Sequence, residues 1–236
     1  MPRLHRPVLV LVLVLLHAQE LFGQTSKPRV VLYKERLAAQ FDTVAVMKNV
    51  VKINPLLFFR GEIPIYYERA LSPNLSLELG IGVTLRDYLA LSFTGNDADD
   101  FGAGTEIIPS LSYRMAIRFY LEGDLEPQGW YIQPEFGHVT YTKDILVADT
   151  AGGFTDERLR DQRIYNDVRL LGGYQMLSYS SNWVVDFYGG FAFRARDMNV
   201  VSETLDPVTR TYTYTEEQIN DWVPAFFLGV KVGLGF

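Results

Sequence analysis

From Phe226 to Phe236 every second residue is apolar (Phe226, Leu228, Val230, Val232, Leu234, Phe236), and between them stand Phe227, Gly229, Lys231, Gly233 and Gly235. A period of two sends alternate side chains to opposite faces of a strand. The bulky set on one face and the small or charged set on the other invert the water-soluble pattern. A strand whose outer face meets lipid carries this inversion.

The same alternation predicts seven strands upstream. The first is Val50 to Phe58, with Val51, Ile53, Pro55 and Leu57 on one face and Lys52 and Asn54 on the other, turned at Arg60-Gly61. The second, Glu62 to Leu71, ends in the Ser72-Pro73-Asn74 turn, whose residues suit a tight reversal. The third, Leu75 to Arg86, alternates without a break. A polar connection from Asp87 to Ile107 leads to the fourth, Leu111 to Leu121, and a turn through Gly123-Asp124 and Pro127 to the fifth, Gly129 to Thr142. The sixth is Arg163 to Ser178 and the seventh Trp183 to Asp197, with a turn near Tyr179 to Asn182 between them. Lys143 to Gln162 and Met198 to Trp222 are expected to be long loops, although Thr211 to Thr215 is β-prone enough to extend the sheet.

The expected fold is therefore all-β: an eight-stranded antiparallel up-and-down transmembrane β-barrel with short periplasmic turns and long external loops, the first external connection being the short exception. A lipocalin-like barrel would need the bulky face inside, where eight strands leave room only for side chains or one small ligand. Trp130 and Trp183 near one rim, and Tyr88, Tyr141 and Trp222 near the other, are expected to form aromatic girdles.

The amino terminus reads as a secretory signal, with Arg3 and Arg6 before the apolar run Val8 to Leu16 and small or polar residues after it, cleavage being expected between Ala18 and Gln24. The run is shorter than the roughly 20 residues of a spanning helix. The expected organisation is a signal peptide at 1-23, a periplasmic N-terminal segment at 24-47 and an outer-membrane barrel at 48-236. Cysteine is absent, which excludes disulfides, thiolate metal sites and a lipoprotein anchor. The chain carries a net charge of −6, and losing Arg3, Arg6 and Glu20 with the leader would make it more acidic still. Nucleic acid is accordingly not an expected partner.

The run KINPLLFFRGEIPIYYERALSPNLSLELGIGVTL at Lys52 to Leu85 resembles a family of small outer-membrane barrels common in Bacteroidota, of the OmpA/OmpX-like eight-stranded type, whose domain has no assigned function. Tyr113-Arg114 and Gly129-Trp130-Tyr131-Ile132 are similar to its middle portion. The resemblance implies location and architecture only.

The predicted inward faces carry Lys52, Glu68, Glu78, Arg86, Arg114, Arg118, Glu135, Asp167, Arg169, Asp186, Arg194, Arg196 and Lys231, with Glu62 beside them. Such charges could line a narrow ion path, but in so small a barrel they are expected to pair and fill it, because an unpaired buried charge costs several kcal/mol. Leu234 and Phe236 are expected to form a C-terminal signal read by the barrel-assembly machinery. His138 is the single histidine beyond the leader and is expected on the lipid-facing side. A barrel hydrolase would need a serine and a carboxylate beside it, and its nearest same-face neighbour is Thr140, so it reads as an interfacial polar residue. Asn96-Asp97-Ala98-Asp99-Asp100 has the composition of a calcium loop but reaches no closing Glu.

These observations make the expected function that of a non-enzymatic structural or interaction component of the bacterial outer membrane, needing no cofactor. Its expected partners are membrane lipid, lipopolysaccharide and other envelope proteins. A small-solute channel and a lipid-modifying barrel enzyme are the alternatives.

Overall fold

The computed structural model describes residues 40–41, 46–86, 104–149, 153–178, 181–206 and 211–236. The expected leader, most of the segment 24–47, Tyr88 and the acidic cluster Asn96 to Asp100 lie outside the described residues.

The chain is all-β, with nine strands and one short helix among the described residues: β1 (Asn49–Ile53), α1 (Pro55–Phe58), β2 (Glu62–Ser72), β3 (Leu75–Thr84), β4 (Thr105–Ile108), β5 (Ser110–Tyr120), β6 (Gly129–Ala148), β7 (Phe154–Leu177), β8 (Trp183–Leu205) and β9 (Tyr212–Gly235). Every pairing is antiparallel. Eight strands close a ring in the order β1-β2-β3-β5-β6-β7-β8-β9, sealed where Val51 pairs with Leu234 and Lys52 with Gly233. The terminal Phe236 completes the seal, its N–H donating to the Asn49 carbonyl at 2.8 Å and its carbonyl accepting from the Asn49 N–H at 3.1 Å.

The ninth strand, β4, corrects the expected count of eight. Its residues fall in the expected Asp87 to Ile107 connection and the chain just beyond it. Instead they pair along β6 from Thr105 opposite Ile145 to Ile108 opposite Thr142. The first strand also ends earlier than its alternation indicates. Pro55 has no N–H to give a ladder, and the Asn54 side chain accepts from the Leu56 N–H at 3.1 Å, capping a helical turn. The turn leaves Leu57 half-buried against the inner cavity, not on the outer face. Gly61 then reverses the chain at φ +66°, where a side chain would also collide with the Arg86 carbonyl.

The two expected long loops are mostly strand. β6 and β7 stay paired out to Ala148 opposite Phe154, and β8 and β9 out to Leu205 opposite Tyr212. The β7–β8 pairing stops at Gln162 opposite Asn199, so two ribbons continue past the ring at the end opposite the chain's C-terminus. Along the ribbons the two faces have like surroundings, buried on both at Tyr141 to Ile145 and exposed on both at Phe154 to Arg158, and the alternation that marks a half-buried strand disappears from the sequence. The Tyr214 hydroxyl accepts the Ala148 N–H at 2.9 Å across the ribbons.

The ring is turned inside out relative to a water-soluble sheet. Ile81, Met115, Leu170, Phe191, Phe226 and Leu228 are each more than half exposed on the outer wall, while Lys52, Glu68, Arg118, Asp167 and Asp186 are fully buried within. Two apolar clusters share the interior: Tyr120, Tyr131, Leu171 and Tyr188 with Phe227, and Val139, Tyr141, Tyr165 and Met198 near the ribbons. Trp130, Trp183 and Trp222 face outward as expected. Tyr141, expected in an outer girdle, points inward instead, because odd-numbered positions of β6 face the interior.

Candidate functional site

Two tiers of charge fill the ring. The first gathers three cations, Lys52, Arg118 and Lys231, with three carboxylates, Glu68, Glu78 and Asp186. Pairing of β2 with β3 sets Glu68 directly opposite Glu78, an unfavourable arrangement of like charges. Lys52 from β1 resolves it, placing Nζ 2.6 Å from each of the two and 3.3 Å from Asp186. Arg118 reaches the same three carboxylates at 3.2, 3.0 and 2.9 Å, and Lys231 reaches Glu78 at 2.5 Å. Neutral partners complete the tier. Arg118 donates to Gln133 at 2.8 Å and Gln175 at 2.5 Å, and the Tyr120 and Tyr131 hydroxyls donate to Glu68 and Asp186 at 2.8 and 2.5 Å.

The second tier lies nearer the ribbons and again balances three against three. Arg114 holds Glu62 at 2.5 Å, Arg169 spans Glu135 at 2.8 Å and Asp167 at 2.6 Å, and Arg194 grips Asp167 at 2.7 and 3.0 Å. The Arg169 guanidinium sits 3.9 Å from the Phe227 ring centre, a favourable cation–π distance. Nε of Arg114 and Nε of Arg169 have no hydrogen-bond partner among the described residues. Both arginines line a cavity of about 10 Å³, roughly the space of one water.

Of the expected interior set, the structure brings twelve residues of these tiers together, and Arg196 pairs with Asp221 at 2.7 and 2.6 Å near the base of the ribbons. Arg86 departs from it. It lies two residues beyond the end of β3 and is exposed, since the strand ends at Thr84 and with it the alternation that would have turned the side chain inward. Gln133, Gln175 and the buried tyrosines were missed because a search for charge passes over neutral groups, although their inward parity was visible. Beyond the tiers, Arg163 pairs with Asp161 at 3.1 Å. Arg160 donates to Asp144 at 2.9 and 3.1 Å, and this bonding holds the Asp144 carboxyl below its usual range.

At the ring's ribbon end the outer wall carries a polar constellation centred on His138. His138 faces outward from β6, half-buried, and stacks on Tyr113 of β5 with ring centres 4.7 Å apart. Its Nδ1 lies 2.7 Å from Asn166 Oδ1 on β7, and its Nε2 lies 3.1 Å from Thr140 Oγ1. Asn166 escaped the sequence reading because its approach depends on the β6–β7 register, in which His138 and Asn166 are directly opposite. Leu234 and Phe236 also face outward, both exposed beside the closing seam. The described residues hold no cluster of three or more histidine, aspartate or glutamate side chains arranged to bind a metal. No protein-family model matches the chain, and no curated protein matches it.

Proposed function

We propose that the ring is a transmembrane β-barrel of the bacterial outer membrane and that it serves the envelope as a structural or interaction component, its ribbons turned to the outside. The observation that carries this reading is the inversion of the wall. A belt of exposed Leu, Ile, Val, Met and Phe around a ring whose interior holds paired charges exceeds by far the few hundred Å² of contiguous apolar surface that a soluble monomer shows. A closed ring also satisfies every strand's backbone groups internally, as lipid requires.

The interior acts as filler and not as a conduit. Two neutral tiers span it, their carboxylates each within ion-pair distance of a cation. Partner recognition then falls to the ribbons and to the connections at that end, because a rigid ring positions them at fixed spacing. Leu234 and Phe236 lie at the seam where the last strand must find the first, which suits a role in assembly.

Leu79→Arg tests the membrane placement. Leu79 is exposed in the middle of β3, so in water the change would move stability by less than about 0.5 kcal/mol. Facing the bilayer midplane it would cost about 2–4 kcal/mol. Urea titration of the two proteins refolded into phospholipid vesicles distinguishes the outcomes, and equal stability would refute the membrane placement.

A further inference from the structure

The polar group on the outer wall has the connectivity of a nucleophile, a base and an orienting group. His138 and Thr140 lie two residues apart on β6 and so share the outward face. Asn166 is brought to the other side of the imidazole by strand register. With the Asn166 amide oxygen as the atom 2.7 Å away, which only accepts, the matching tautomer of His138 carries its proton on Nδ1. Nε2 is then the acceptor facing Thr140, whose hydroxyl is 3.1 Å away. The two contacts are satisfied together by this one tautomer. This is the relation by which a hydroxyl is activated for attack, with an amide standing where many such sites have a carboxylate.

The height of the group on the wall indicates what it would meet. One step toward the ring's centre, the row of paired outward positions is Phe136, Val168, Phe193 and Pro224. In the row paired with Thr140 the neighbour Ile164 is still apolar, but Asp197 and Asn220 beyond it are polar. The hydroxyl thus stands in the row where apolar side chains begin to give way to polar ones. In a bilayer, that line is the depth at which acyl chains join their headgroups through ester bonds.

We propose that Thr140, His138 and Asn166 form a surface site for hydrolysis of acyl esters of membrane lipids, with Thr140 as nucleophile, His138 as general base and acid, and Asn166 as a positioning residue. The inference rests on the membrane placement above and adds a chemistry to the wall that the interior lacks. Thr140 Oγ bonds to the ester carbonyl carbon while His138 Nε2 takes the hydroxyl proton. The bond from that carbon to the lipid alcohol breaks, and the departing oxygen takes the proton from His138. Water then attacks the threonine ester, its proton passing to His138 and on to Thr140 Oγ, which leaves. The sum is ester plus water giving alcohol plus carboxylic acid.

The test uses the full chain refolded into phosphatidylcholine–phosphatidylglycerol vesicles. A fluorophosphonate probe, which loses fluoride on bonding to an activated hydroxyl, reports the nucleophile, and released fatty acid reports turnover. The expected result is a probe adduct on the peptide containing Thr140. Fatty acid release should fall by about 100-fold or more in His138→Gln, in line with loss of a general base, and to background in Thr140→Val. Thr140→Ser should retain both signals. Asn166→Asp should retain release but move the rising limb of its pH profile upward, since a carboxylate favours the charged imidazole; a purely structural pairing would not shift that limb. Flotation with vesicles and heat-shifted gel mobility establish that each variant is folded. If the parent floats but forms no adduct and releases no fatty acid, or if Thr140→Val releases as much as the parent, the site is refuted while the membrane placement stands. If the folded parent does not float, the placement fails and the lipid substrate with it.

Discussion

Arg118→Met is the perturbation that most directly tests how the interior is held. The parent tier is neutral, with Lys52, Arg118 and Lys231 against Glu68, Glu78 and Asp186. Methionine fills much of the arginine's volume but leaves one carboxylate in excess at a fully buried site. It also removes the donors to Gln133 and Gln175 and the guanidinium stacked 3.9 Å from the Tyr131 ring centre. Removing one partner from a buried ion pair typically costs about 3–5 kcal/mol, most of it from the charge left behind. If excess charge is the main cause, adding Asp186→Asn should restore neutrality and return roughly 1–3 kcal/mol as a coupling between the two changes. The assay is urea unfolding followed by tryptophan fluorescence, with protein refolded in detergent micelles and the fold verified by heat-shifted gel mobility. A loss below about 1 kcal/mol for Arg118→Met would refute the charge-balance account. So would a double variant whose loss equals the sum of the two single losses.

Two further outcomes are expected. Asp144 has its folded-state pKa lowered by hydrogen bonds from Arg160, so the pair contributes at pH above the ordinary aspartate value of about 4 and is lost as pH falls through the folded value. Amide exchange near the Asp144–Arg160 rung, corrected for intrinsic rates, should quicken below pH 4 in the parent, and Asp144→Asn should abolish that dependence. Gly229→Ala should cost about 1–3 kcal/mol, because the added methyl would overlap the buried Tyr188 hydroxyl, which accepts from Asn54 at 2.7 Å. Gly153→Ala, with open space around the new methyl, is the matched control, and equal urea midpoints for the two would refute the packing argument.

Period-two alternation made the ring legible wherever one face was apolar and the other polar. β3 and β9 show why. Their bulky and small positions separate so cleanly that facing follows from parity alone. The same signal failed in three places for three physical reasons. It ran through Pro55, where the loss of an N–H and the Asn54 cap converted an apparent strand end into a helical turn. It stopped at Thr142 and Asp197, where the ribbons leave the apolar belt but the ladders go on for several more rungs. It gave no notice of β4, four residues long and resting on the flank of one ribbon. Alternation reports a contrast between environments, and a strand with like surroundings on both faces has no contrast to report.

Parity says which side of the wall a residue faces, and register says which residues on that side touch. The interior tiers tolerate ignorance of register, because long arginine and lysine side chains in a narrow ring reach carboxylates on several strands: Arg118 on β5 meets Glu68 on β2, Glu78 on β3 and Asp186 on β8. Collecting inward charges therefore recovered most of that network from the sequence. The outer constellation has no such reach. Imidazole, hydroxyl and amide are short, and on a convex surface neighbouring strands carry them apart. A one-residue slip between β6 and β7 would turn Asn166 inward and set His138 opposite Tyr165 or Asp167. The group exists only because the two strands pair with His138 opposite Asn166. That dependence is why the sequence displayed a lone histidine where the folded chain holds three side chains in bonding contact.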